Sequence, residues 1–180
     1  MARQYLQDGP YIDPPLTDPL SADTATTAVS MWSGAQFTPI FANDAKAGKI
    51  YVVEASGLIT TAATGALTIA PGLGTSSPGT TLGSSIAQTV PASSLSGPWF
   101  MKLVIVVRTI GAAGANSTCM AAGYFNSGGV AATANSGLNV MIGGTSCAFD
   151  ATVNNFVTVQ KTLSVAGSFT TRWAFIYAMN

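Results

Sequence analysis

The sequence predicts an all-β fold, a jelly-roll-like antiparallel β-sandwich with an extended Pro-rich N-terminal arm. Three observations predict it. No stretch sustains helical periodicity, while short runs with two-residue alternation recur between Gly, Pro and Ser turns. The clearest run is WFMKLVIVVRTI, residues 99–110, rich in the β-branched residues that suit a pleated surface. The first 23 residues differ from everything after them, holding four of the nine prolines.

The run 99–110 organises the rest. Its odd positions, Trp99, Met101, Leu103, Ile105 and Val107, are all apolar, whereas its even positions, Phe100 to Ile110, are mixed and include Lys102 and Arg108. A strand turns successive side chains to opposite faces, so the odd face is core and the even face half wet. Pro98 is expected to stop pairing at its start and Gly111 to end it.

Residues 1–23 carry Pro10, Pro14, Pro15 and Pro19, and Asp8, Asp13, Asp18 and Asp23 at intervals of five. Proline fixes φ and removes a donor, so this segment is an extended arm with polyproline character, followed by one β-domain over 24–180. Tyr5, Leu6, Tyr11, Ile12, Leu16 and Leu20 are spread along it, more large apolar residues than a free tail needs. They are the candidate binding residues. Such an arm can pack along its own domain or grip a partner, and the periodic anchors favour a partner.

The strands follow in order. A short signal lies around residues 31–37, ended by Pro39 and the turn set Asn43-Asp44. Residues 49–55 form a strand that Gly57 breaks, and 58–61 and 66–70 are short strands separated by Gly65. Residues 71–85 read as a loop. Gly72-Leu73-Gly74 within it lacks the strand–GxGxxG–helix context of a phosphate cradle. Residues 86–90 are short, and 117–125 pair with the central strand across GAAGANST. Residues 126–137 read as a loop, then 138–142 and 147–149 as short strands around Gly143-Gly144. The C-terminal end reads as a hairpin of 156–165 and 169–179 about Ala166-Gly167-Ser168. Unbroken alternation puts Phe169, Trp173, Phe175, Tyr177 and Met179 on one face, an aromatic wall expected in the core, or else at a subunit seam.

Composition excludes several functions. Charged residues are 8% of 180, seven basic and seven acidic, against about 25% in ordinary soluble domains. There is no basic cluster for nucleic acid, no run of about 20 apolar residues for a membrane helix, and no apolar leader. A surface so poor in charge lacks the usual protection against association, which predicts a homo-oligomer. The absence of histidine removes the commonest general base and imidazole metal ligands. Cys119 and Cys147 are expected to be free thiols. A carboxylate pair for glycoside hydrolysis could use only Asp44, Glu54 and Asp150 outside the arm, and the two aspartates have turn positions that explain them. No catalytic residue, cofactor or metal is predicted. Asn116-Ser117-Thr118 is a chance glycosylation match without a leader.

Two stretches, ITTAATGALTIAPGLGTSSPGTTLGSS at 59–85 and VPASSLSGPWFMKLVIVVRTIGAAGANST at 90–118, resemble virion structural proteins of tailed bacteriophages, of the head decoration or minor capsid type. The resemblance implies a jelly-roll or related sandwich, often trimeric, made in the host cytoplasm and bound to the major capsid protein shell, with the arm as anchor. A tail or baseplate component remains an alternative, as does a carbohydrate-binding sandwich. The last needs exposed aromatics, which the predicted strand faces do not supply.

Overall fold

A computed structural model describes residues 21–32, 40–75, 80–83, 87–90, 92–114, 116–127 and 138–179. Among them the chain forms eleven strands and no helix: β1 (Ser21–Asp23), β2 (Val29–Ser30), β3 (Ile50–Thr61), β4 (Gly65–Gly74), β5 (Thr80–Thr81), β6 (Gln88–Val90), β7 (Ser93–Thr109), β8 (Ser117–Ser127), β9 (Leu138–Phe149), β10 (Phe156–Leu163) and β11 (Gly167–Met179). Two antiparallel sheets pack into a sandwich. One has six strands in the order β1-β11-β3-β7-β8-β9; the other has β2-β10-β4-β5, with β6 also on β4. Consecutive strands cross between the layers repeatedly, as at β3–β4, β6–β7 and β10–β11, while β7-β8-β9 is a meander.

The central strand sits as its alternation predicts, flanked by β3 and β8. Trp99, Met101, Leu103, Ile105 and Val107 are buried, facing Leu67, Ile69 and Leu73 of β4 and Val157, Val159 and Leu163 of β10. Each such side chain contributes about 1.5–3 kcal/mol on burial. Pro98 does not begin the strand, which starts at Ser93. It lies one residue beyond the β8 ladder, whose first pair is Trp99 with Ser127, so its missing donor breaks no bond there.

Gly57 does not break β3 either. It lies opposite Trp99 in the interior of the strand. A Cβ there would meet the Thr170 carbonyl and lie 2.8 Å from Trp99 Cε2. The missing side chain makes room for the indole, whose Nε1 donates to the Thr170 carbonyl at 3.2 Å. The same ring stacks on Phe169 at 5.0 Å and Phe125 at 5.4 Å, tying β11, β7 and β8 together through the core.

Other expectations are corrected by pairing. Residues 71–74 and 80–81 are strand, because β4 continues through Pro71 along β10. β9 runs unbroken through Gly143-Gly144. Val29–Ser30 is strand; of the expected run 31–37, Met31 and Trp32 are buried outside any strand, and the rest lies outside the described residues. The C-terminal hairpin is absent: β10 and β11 lie in different sheets, with β11 on β3 and β10 on β4. The turn at 164–166 therefore joins the layers.

Within β11 the register shifts between Thr171 and Trp173, leaving Arg172 as the extra residue of a bulge. One extra residue reverses the facing of everything after it. Phe169 is buried as expected, but beyond the bulge Ala174, Ile176 and Ala178 take the core side. Trp173, Phe175, Tyr177 and Met179 turn outward, so the expectation that they form core is overturned.

Replacing Gly57 by Ala is predicted to lower the unfolding free energy by about 3 kcal/mol, since the new methyl group has only backbone and a packed indole to displace. Urea denaturation measures it, and a loss below about 1 kcal/mol contradicts the packing described.

Candidate functional site: the outer face of the six-stranded sheet

Pairing in the six-stranded sheet aligns the outward side chains of β11, β3, β7 and β8 in four rows. The first is Trp173, Ser56, Phe100 and Asn126. The second is Phe175, Glu54, Lys102 and Tyr124. The third is Tyr177, Val52, Val104 and Ala122, and the fourth Met179, Ile50, Val106 and Met120. Only Ser56, Asn126, Glu54 and Lys102 in this lattice are neither apolar nor aromatic. A solvated sheet face ordinarily alternates to polar residues, so these four strands depart from that rule. Met120, Tyr124, Phe175 and Met179, exposed by 37–48%, are four of the seven exposed large apolar residues among the described residues.

The first two rows carry a chain of rings. Phe175 and Trp173 have centroids 5.1 Å apart, Trp173 and Phe100 6.1 Å, and Phe100 and Tyr124 6.2 Å. Trp173 and Phe100 stand two strands apart and meet because small Ser56 lies between them, its hydroxyl donated to the Trp99 carbonyl at 2.7 Å. The rings tilt by 41–56° to one another. They form a ridged surface rather than a flat platform.

One ion pair occupies the middle. Lys102 Nζ lies 2.9 Å from Glu54 Oε1, and the Tyr177 hydroxyl donates to the same oxygen at 3.3 Å. The hydrogen bond and charge of Glu54 raise the Lys102 pKa above its ordinary value. Burial, then Glu54, raises that of Tyr177. The centre of the face is thus charged but internally neutralised. Beside it Val104, Val106, Arg108, Met120 and Ala122 border a shallow depression of about 230 Å³.

The predicted arm residues Tyr5, Leu6, Tyr11, Ile12, Leu16 and Leu20 lie outside the described residues. The end of the arm segment is described: β1 pairs antiparallel with Phe169 to Thr171 of β11 at the edge of this sheet.

The three carboxylates are held in separate places. Asp44 pairs with buried Lys49 at 2.7 Å and accepts from the Tyr51 hydroxyl at 3.0 Å. Glu54 is on the outer face. Asp150 accepts from the Gly114 amide at 2.7 Å and from the Thr152 amide and hydroxyl at 2.9 and 2.7 Å, which joins the β7–β8 and β9–β10 connections. Cys119 and Cys147 are directly paired across β8 and β9 as buried free thiols. The hydrogen bond with Cys147 and burial hold the Cys119 thiol far above its usual range. Gly72-Leu73-Gly74 belongs to β4, and Asn116 closes a turn onto the Ala113 carbonyl.

Sequence reasoning placed the even face of the central strand correctly but missed the row that β11 adds to it. The available signal was Phe100, Val104 and Val106, already too apolar for a wet face, together with the Thr170-Thr171-Arg172 interruption before Trp173. No protein-family model matches the chain, and no curated protein or solved structure is detectably similar to it.

Asp150 carries a pH prediction. The Thr152 side-chain hydrogen bond, then the backbone amides, lower its pKa in the folded state. A depressed carboxylate stabilises above its unfolded value of about 3.9, and that contribution disappears as pH falls through the folded value. Asp150→Asn should therefore melt below the native protein at neutral pH, with the gap closing as pH drops below about 4. A gap constant over the acid limb contradicts this role.

Proposed function

We propose that this chain is a non-enzymatic structural subunit of a tailed-phage particle, a decoration or cement protein that binds the outside of the head shell through its N-terminal arm and associates with copies of itself. The observation that carries the structural-subunit reading is the outer sheet face: a broad apolar surface with a neutralised ion pair at its centre and Arg108 at its border suits lasting contact between proteins. The phage assignment rests on the resemblance of residues 59–85 and 90–118, which fall on β3 to β5 and on β6 to β8. The arm supports attachment: its last residues pair at a sheet edge as β1, and its sequence carries six large apolar residues before and between acids spaced by five. Several arms in one oligomer would reinforce one another. A tail or baseplate role would use the same features at another place in the particle.

One observation favours a second reading. The ring chain from Phe175 to Tyr124 is an aromatic surface of the kind a carbohydrate-binding sandwich needs. Its tilts of 41–56° oppose it, since sugar rings stack on aligned planes. A sugar that raises the melting temperature at millimolar concentration would favour this second reading.

Deleting residues 1–20, which leaves β1 in place, is predicted to preserve thermal melting and abolish co-sedimentation with undecorated shells. A truncated protein that binds shells as well as the full chain contradicts the anchor. One that no longer folds assigns the arm to the sandwich's own core.

A further inference from the structure

We infer that copies of this chain associate through the outer face of the six-stranded sheet, face against face about a twofold axis parallel to the strands. The inference rests on the structural-subunit reading above and names the surface that reading leaves open.

Size is the first argument. Four strands about 4.8 Å apart and seven residues of about 3.3 Å make a face on the order of 450 Å² in projection. A stable interface buries about 800 Å² of accessible surface per partner. A ridged face presents more accessible area than its projection, so this one supplies the centre of such an interface and its rim completes the area. Two such faces stack about 10 Å apart, as sheets do inside sandwiches.

Chemistry is the second. The partner must be apolar and must bring no charge to the centre, because Lys102 and Glu54 already neutralise each other at 2.9 Å. Burying a pair that keeps its partner and its hydrogen bonds avoids the cost of a stranded charge. The face meets its own requirement. The chain has no net charge, so copies do not repel one another.

Shape is the third. A twofold axis parallel to the strands sets β11 of one copy over β8 of its partner, row against the same row. Met179, 48% exposed, stands in the fourth row at the β11 side. The depression between Val106 and Met120 lies in that row at the β8 side. Each copy thus offers a flexible apolar knob where its partner offers a hollow, twice per contact. Methionine adapts readily to such gaps. A twofold contact gives stoichiometry in twos, where the phage resemblance implies three.

The test uses the full chain and light scattering coupled to size exclusion at micromolar concentrations. The native protein should be a dimer or a multiple of two. Met179→Lys and Met120→Glu, both at exposed positions, should each weaken association at least tenfold, and should match the native urea midpoint at a dilution where all three proteins are monomeric. Mixing the two variants should restore association, since the new lysine and glutamate face each other in row four. A monomeric or trimeric native protein, single variants that associate normally, or a mixture that stays monomeric overturns the inference. So does a monomer that begins to associate when residues 1–20 are deleted, which would make the arm the occupant of the face. Shell co-sedimentation reports separately on the reading beneath.

Discussion

The fit of Trp99 over Gly57 is the constraint on which the rest of the sandwich depends. The indole needs the space a side chain on β3 would fill, and its Nε1 reaches the Thr170 carbonyl on β11 only through that opening. Its faces then stack on Phe169 and Phe125. Three strands that are distant in sequence are thereby set in one register against the core. Once that register is set, the outward rows of β11, β3, β7 and β8 are set with it, because side-chain facing follows from pairing.

The bulge at Arg172 decides what those rows contain. In a regular β11 the large residues after Arg172 would share the core side with Phe169. The extra residue sends them out and brings Ala174, Ile176 and Ala178 in. The core keeps its aromatic cluster and the outside gains another. The surface is apolar because a one-residue irregularity falls before the aromatic run of β11, while a neutralised pair sits at its centre and Arg108 stands exposed at its border. This arrangement is suited to being covered, since water satisfies neither its rings nor its aliphatic rows.

How far the sequence reveals this depends on the kind of signal. The strand at 99–110 was legible because only one of its faces is apolar without interruption, which leaves one orientation. Its pairing with β8 followed from a short turn. β11 was not legible past Arg172: both faces there are apolar, so period-two alternation does not choose between them, and size pointed the wrong way. Gly57 and Pro98 were misjudged for a related reason. Both are strand breakers by local preference, but Gly57 faces a tryptophan that needs its emptiness, and Pro98 pairs with Leu58 of β3 one residue beyond the β8 ladder. The apparent C-terminal hairpin failed because a short turn joins strands within a sheet or across two, and only tertiary pairing distinguishes them. Of the candidate site, the even face of β7 was visible in the sequence. The contribution of β11 depends on the bulge at Arg172, which only its pairing with β3 reveals.

Methionine oxidation by hydroxyl radicals across a dilution series tests the central claim most directly. Met31 and Met101 are buried in the core, and Met120 and Met179 lie on the outer face. The account predicts that Met120 and Met179 react readily in dilute protein and become protected together as concentration rises, while Met31 and Met101 stay unreactive throughout. Protection of Met179 equal to that of Met31 at every dilution would return β11 to the core. Reactivity of both outer methionines at every concentration would leave the face uncovered and contradict the account.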